Sequence, residues 1–400
     1  MGGEAYIDYW QLLGPQRFLD QVLSTIGVQT GSCILLCRPL HAPVGLAHAL
    51  QVRSRSAQLG CSHLEFRTIL QIDPTKEPFA ELCRVLGIDE AECEDIPALL
   101  GHQRAERKLL YIDLADDSTL WARWKEFLPQ YAHANRARPV ANRSPICMVV
   151  SGRVCQAAKL LDDVALQVRY EYGVCDLNDM AEYAARRLHQ CDLTPLQRRL
   201  AIAYCAQIAL WDPEICDRLT AAPWPDQLAP QPILEQISRE RQWMTESMVA
   251  CWYDGTENYC SGFDQVHTAY LFPRSPEELS RRLFIAQLAV LLPYVEQRRP
   301  LLIKKLDRML RVPYQDKDGR RVAEKHRLEV GHIESQLRDL ERCRKSPFGT
   351  EARKEARILH EVRNSLSHLD LLEHDRLSDL EPMIDPREEQ RLRLRRPRDL

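Results

Sequence analysis

An apolar run over 32–37 opens into Arg38-Pro39-Leu40-His41-Ala42-Pro43-Val44-Gly45, and a helical pattern begins at Leu46. Strand, loop and helix in that order make a place where backbone amides can cradle phosphates. The chemistry needs glycines for close approach, a lysine for the outer phosphates and a hydroxyl for magnesium. With Gly45 as the second glycine of such a loop, Leu40 stands at the first, Leu46 at the lysine and Ala47 at the hydroxyl. Leu109-Leu110-Tyr111-Ile112-Asp113 is a further apolar run ending on a carboxylate that could hold magnesium. Arg38, Gly45 and Asp113 are therefore the residues from which a nucleotide site would be built. A hydrophobic Leu46 cannot supply the missing charge, so the site is expected to be vestigial, with no cofactor and no ATPase activity.

A second group lies near the C-terminus, in Leu359-His360-Glu361-Val362-Arg363-Asn364-Ser365-Leu366-Ser367-His368-Leu369. Ile358, Val362, Leu366, Leu369 and Leu372 form one apolar helix face, and His360, Asn364 and Ser367 fall opposite it. Arg363 and His368 lie about 140° apart on an ideal helix. One unbroken helix cannot aim both at one target, so joint chemistry requires a break near Ser367 or a second subunit. The same pattern also suits a solvated helix edge.

The elements that would position these groups fall into two classes. Strands are expected over 32–37, 66–72, 109–114 and 146–150, each a short apolar run as in strands covered on both faces. Helical patterns such as 77–86 and 120–134 lie between them, and long helical crossovers make a parallel sheet. Tyr6–Ile26 adds a helix started by Gly14-Pro15, with Phe18, Leu19, Val22, Leu23 and Ile26 on its apolar face. Beyond Val154 strand signals stop. Helices are expected over 156–168, 177–188, 195–210, 232–253, 276–292, 300–310, 321–345 and 350–372, with a proline-rich linker over 221–230 and a turn over 314–320. The fold class is thus an α/β layered domain with a short parallel sheet over 1–153, then an all-α region. That region divides into a helical linker over 154–275, a bundle over 276–385 and an arginine-rich tail over 386–400, expected to be disordered.

Bulk properties set limits. A net charge of -3 over 400 residues argues against wholesale wrapping of nucleic acid, although the tail could attract RNA. No apolar stretch is long enough to cross a bilayer and no secretory leader is legible, which leads to the expectation of a cytoplasmic protein without membrane contact. Fourteen cysteines include no Cys-x-x-Cys pair, so no metal site is expected and the thiols are read as free packing groups.

Two resemblances follow from these residues. The order of elements over 15–153, with the loop at 38–45 and Asp113, resembles an AAA or related P-loop NTPase domain whose reactive groups are missing. Arg363-Asn364, three residues and His368 resemble the Arg-x4–6-His motif of HEPN domains, helical bundles common among RNases of antiviral systems. That resemblance implies metal-independent RNA cleavage across a homodimer through the C-terminal bundle. It makes His368 the acid/base, Arg363 the group that steadies phosphate charge and Asn364 the group that orients the pair. Together the two resemblances imply a component of a bacterial antiviral defence or conflict system, with other proteins of a defence complex as partners. The alternative is a non-enzymatic scaffold that uses the dead ATPase-like domain to bind partner proteins. His360-Glu361-Val362-Arg363-Asn364 also looks like the phospho-acceptor box of histidine kinases, but the proline usual at Ser365 is absent.

Overall fold

The computed structural model describes residues 7–27, 31–56, 59–69, 71–244, 249–316, 319–339 and 347–380. The tail expected over 386–400 lies outside the described residues, as do parts of the helices expected over 232–253 and 321–345. Contacts divide the chain into two compact units. One comprises Met1–Arg186, Ala209–Arg218 and Ile233–Arg274; the other comprises Arg187–Ile208, Leu219–Pro232 and Ser275–Leu400. The boundary expected at 153 is therefore not where the first unit ends.

The first unit is built on a five-stranded, all-parallel sheet. Its strands are β1 (Cys33–Arg38), β2 (Glu65–Ile69), β3 (Lys108–Asp113), β4 (Ile146–Ser151) and β5 (Leu166–Tyr170), in the order β2-β3-β4-β1-β5. The central strands are apolar runs buried along almost their whole length, as sheets covered on both faces require. The outer strands depart from that expectation. At one edge, β2 exposes Glu65, Arg67 and Thr68, and Glu65 pairs with both Arg67 and Lys108. Charged side chains of this kind blunt an open edge. At the other edge, β5 occupies a stretch expected to be helical. Its alternating burial is the period-2 signature of a strand, which the preceding helix-like pattern hides. The carboxylates of Asp162 and Asp163 accept hydrogen bonds from the amides of Val168, Ala165 and Leu166. They thereby end the 3-10 stretch Gly152–Leu161 and start the strand.

The helices of this unit begin with α1 (Ile7–Trp10) and α2 (Leu13–Ile26), whose apolar face is the expected one. Crossovers carry α3 (Leu46–Ser54), α4 (Pro78–Leu86), α5 (Ile96–Gly101) and α6 (Ser118–Arg136), and α7 (Leu177–Arg187) follows β5. Helix α6 contributes the buried rings of Trp124 and Tyr131 to the core. An antiparallel hairpin, β6 (Glu257–Cys260) and β7 (Phe263–Val266), also belongs to this unit, so the region after 154 is not all-helical. Its two-residue turn has positive φ at Ser261 (53°) and Gly262 (104°), the handedness that tight hairpins favour.

Nearly all of α8 (Pro195–Ala209) and all of α10 (Trp224–Gln227) fall in the second unit, and most of α9 (Pro213–Ala221) and α11 (Gln231–Glu240) in the first; the expected linker over 221–230 thus contains a helical turn. A short α12 (Thr268–Leu271) precedes the second unit's main helix. That helix, α13 (Pro276–Lys305), is one 30-residue element rather than two, and it runs through Pro293 and Pro300. Each proline removes a backbone donor, but Leu291, Tyr294, Val295 and Leu302 remain buried across both sites, so packing holds the helix together.

The expected turn after Tyr314 links the hairpin β8 (Tyr314–Gln315) and β9 (Arg321–Val322), closed by the Asp316 amide on the Arg320 carbonyl. The helix expected from 321 begins only at α14 (Val330–Asp339). Next come α15 (Pro347–Ser367) and α16 (His374–Leu380). Helix α15 ends before the stripe does. The Asp370 amide returns to the Ser365 carbonyl and the Leu369 amide to the Leu366 carbonyl, with Leu369 left-handed at φ 63°. This is a Schellman stop, usually made by glycine. It turns Leu369 outward, 72% exposed, whereas Leu366 is 4% exposed.

The helix end has a measurable consequence. Leu366→Ala should cost about 2–5 kcal/mol in urea unfolding, as a buried truncation does. Leu369→Ala should change stability by less than about 0.5 kcal/mol. Equal losses at the two positions would place Leu369 in the core.

Candidate functional site

In the first unit the chain crosses from β1 to the edge strand β2, while the later connection from β4 passes over β1 to reach β5. Ligands of open α/β sheets gather at such a reversal, outside the carboxyl ends of the strands. Arg38 and Asp113 stand there at the ends of β1 and β3, and Gly45 starts α3. The sheet therefore brings the three expected residues to one end.

Around Arg38 the surroundings are closed, whereas beside Gly45 a cavity of about 260 Å³ opens between Trp10, His48 and Ala49. Arg38 is buried, and its guanidinium is held by the Glu171 carboxylate through Nε and Nη2, the latter at 3.3 Å. Nη2 also donates to the Pro43 carbonyl at 2.6 Å, and the group lies 5.9 Å from the centre of the Trp10 ring. Burial alone would make Arg38 release its proton more readily; the Glu171 charge outweighs it and keeps the guanidinium protonated. Gly45 is left-handed at φ 91°, and the following Leu46 is buried rather than aimed at a ligand. Asp113 accepts the Ala115 amide at 2.9 Å, forming a local turn.

A roof covers the loop. The Leu40 amide donates to the Tyr253 carbonyl at 2.9 Å. Gly255 sits so close that a Cβ there would be 2.4 Å from the Leu40 carbonyl oxygen, and its φ of 74° also calls for glycine. The space left between Leu40, His41, Glu171, Trp211, Asp212 and Arg241 is about 20 Å³, room for one water.

The polar centre of this roof was invisible to local spacing. The Asp212 carboxylate accepts from Arg241 at 2.6 Å and from His267 Nε2 at 2.9 Å, and it takes the Glu214 amide at 2.9 Å as α9 begins. Arg241 also pairs with Glu214 at 2.6 Å and lies 5.0 Å from the Trp243 ring centre. His267 Nδ1 accepts the Ala269 amide at 3.2 Å, so the neutral tautomer with hydrogen on Nε2 satisfies both ring nitrogens. Burial would push the Asp212 carboxyl up, but the Arg241 charge and the His267 hydrogen bond hold it well below the usual carboxylate range. His41 meets Trp243 edge-on at 5.6 Å; partial desolvation and the Arg241 charge lower its pKa. The only sequence signal for this cluster was Asp212 before Pro213, a helix-start pattern.

In the second unit the motif residues face different partners. Arg363 pairs with Glu329, whose carboxyl is held below its usual range by that contact. Asn364 hydrogen-bonds His360 at 3.1 Å. His360 stands over Gly331, where a Cβ would be 2.8 Å from its Nε2, and its Nδ1 lies 3.6 Å from Glu334. His360 is thus docked against α14 rather than offered as a phospho-acceptor. His368 is exposed just beyond the last turn of α15, and among the described residues its ring has no hydrogen-bond or ion-pair partner. A groove of about 410 Å³ runs beside Asn364, between Glu361, Glu373, Arg376 and Asp379; Arg376 is paired with Glu361 at 2.6 Å. No group of metal-ligating side chains occurs among the described residues. The described cysteines are all free thiols, and no described helix is long and apolar enough to cross a membrane.

No family model matches this chain, and no curated protein matches it.

The Asp212 cluster gives a pH test with a definite sign. Because the folded carboxyl titrates below its unfolded value of about 3.9, its contribution is fully present above that value and is lost as pH falls through the folded one. Asp212→Asn should cost about 3 kcal/mol at pH 7, since it leaves the buried Arg241 charge with Glu214 alone. It should also flatten the loss of stability between pH 5 and pH 3 (about one unit either side of the unfolded value). Wild type and variant falling in parallel over that range would refute the assignment.

Proposed function

We propose that this protein is a non-hydrolysing component of a bacterial defence or conflict system, in which the first unit is a degenerate P-loop NTPase-like scaffold that binds partner proteins. One observation carries this reading: over residues 39–43 the loop that would cradle phosphates is filled by the chain's own side chains. Its one cation, Arg38, is spent on Glu171 and the Pro43 carbonyl, and about 20 Å³ remains above it. Support for a P-loop ancestry comes from the strand order β2-β3-β4-β1-β5, with the loop after β1 and Asp113 at the end of the next strand but one. The defence setting rests on the likeness of the two motifs to those families. Purified protein should show no magnesium-dependent ATP turnover above an Asp113→Ala control, and no ATP binding by calorimetry. Turnover that Asp113→Ala abolishes would overturn the proposal.

A second reading has one observation in its favour. RNA cleavage by Arg363, Asn364 and His368 requires a break near Ser367, and α15 ends at that residue. In this reading His368 moves the proton of the 2′-hydroxyl, Arg363 leaves Glu329 to hold the phosphate, and a second copy completes the site. The acidic groove beside Asn364 weighs against it. With EDTA present, wild type should then cut cellular RNA, His368→Ala and Arg363→Lys should lose at least about a hundredfold, and His360→Ala should lose little. Intact RNA with wild type, or undiminished cutting by His368→Ala, would sink it.

A further inference from the structure

Beyond the end of β5 two exposed tyrosine rings, Tyr172 and Tyr259, stand beside Trp252, which packs against the sheet core. Tyr172 is 42% exposed and stands 6.0 Å from Tyr259, 41% exposed, and 6.4 Å from Trp252. Hairpin register pairs Tyr259 with Asp264 and Glu257 with Val266, so Glu257, Tyr259 and Asp264 share one face. The Tyr172 hydroxyl donates to the Asp264 carboxylate, and that bond, with burial and the nearby Glu257, raises the phenol's pKa to about 12.

The platform is fixed before any partner arrives. The Gly173 amide donates to Asn258 at 3.0 Å, Asn258 is buried, and a Cβ on Gly173 would stand 3.1 Å from the Tyr259 ring. Among the described residues neither Glu257 nor Asp264 pairs with a cation. Two unneutralised carboxylates beside two exposed, electron-rich tyrosine rings make a surface that repels phosphate and attracts a cation with an apolar stem.

We propose that this face docks a basic segment of a partner protein, laying an arginine or lysine side chain over Tyr172 and Tyr259 with its charge against Asp264 and Glu257. It deepens the scaffold reading, on which it rests for the existence of a partner. Its test is separate, because failure to bind a basic peptide would leave the absence of ATP turnover untouched.

Fluorescence anisotropy with the full chain decides it. The probes are a labelled peptide alternating arginine and leucine, its glutamine-for-arginine counterpart, and a single-stranded oligoribonucleotide. Wild type should bind the arginine peptide saturably, and salt should weaken that binding. Glu257→Gln with Asp264→Asn should weaken it about tenfold or more, as should Tyr259→Leu, both with unchanged thermal unfolding. Both substitutions lie at exposed or half-exposed positions, and the charge pair keeps its shape, so folding is not at stake. Equal binding of the glutamine peptide, preference for the RNA, no binding by wild type, or variants within about twofold of wild type would each refute the proposal.

Discussion

The interaction on which the first unit depends is the burial of Arg38 at the end of β1. A guanidinium cannot be left in an apolar interior without partners, since an uncompensated buried charge costs several kcal/mol. Glu171, just past the end of β5, and the Pro43 carbonyl supply those partners, so the requirement ties the loop after β1 to the neighbouring edge strand. It also fixes the loop's own shape, because a carbonyl of the loop is one of the acceptors. A loop held by its own arginine cannot open its amides to phosphate. The closed roof over Leu40, with Gly255 pressed against it, is the consequence.

A second buried charge cluster completes that roof. Asp212 gathers Arg241, His267 and the start of α9 around one carboxylate, and the rings of Trp243, Trp211 and His41 pack about them. Such a cluster is worth more as a locator than as a source of stability, because desolvation offsets much of the pairing energy. It fixes three distant segments, near 212, 241 and 267, against the carboxyl ends of the strands. The result is a sheet end whose Arg38 side is filled by the chain's own charged and aromatic side chains.

The C-terminal motif illustrates the same balance. Its arginine and asparagine are engaged with Glu329 and His360, whereas its histidine, past the helix stop, is free among the described residues. The acidic residues along the neighbouring groove set a field opposed to RNA.

By itself, the sequence determined the parallel sheet and most of its helices. Short apolar runs at 32–37, 109–114 and 146–150 suit strands covered on both faces, and Leu46 stands where a phosphate-binding loop carries its lysine. It also marked Arg38, Gly45 and Asp113 as neighbours. Other features needed the tertiary structure. Strand β5 was hidden because an edge strand alternates, and five residues of alternation are easily lost beside a helix-like run. Helix α13 reads as two because proline disrupts a helix locally, while the packing that overrides it is not local. The stop at Ser367 was missed because leucine rarely takes the left-handed turn that glycine signals. The Arg38–Glu171 and Asp212–Arg241–His267 contacts join residues 133, 29 and 55 positions apart (the differences of their numbers), a separation across which no spacing rule operates. Burial of charge is decided by what the fold brings near, and only the folded chain supplied the partners.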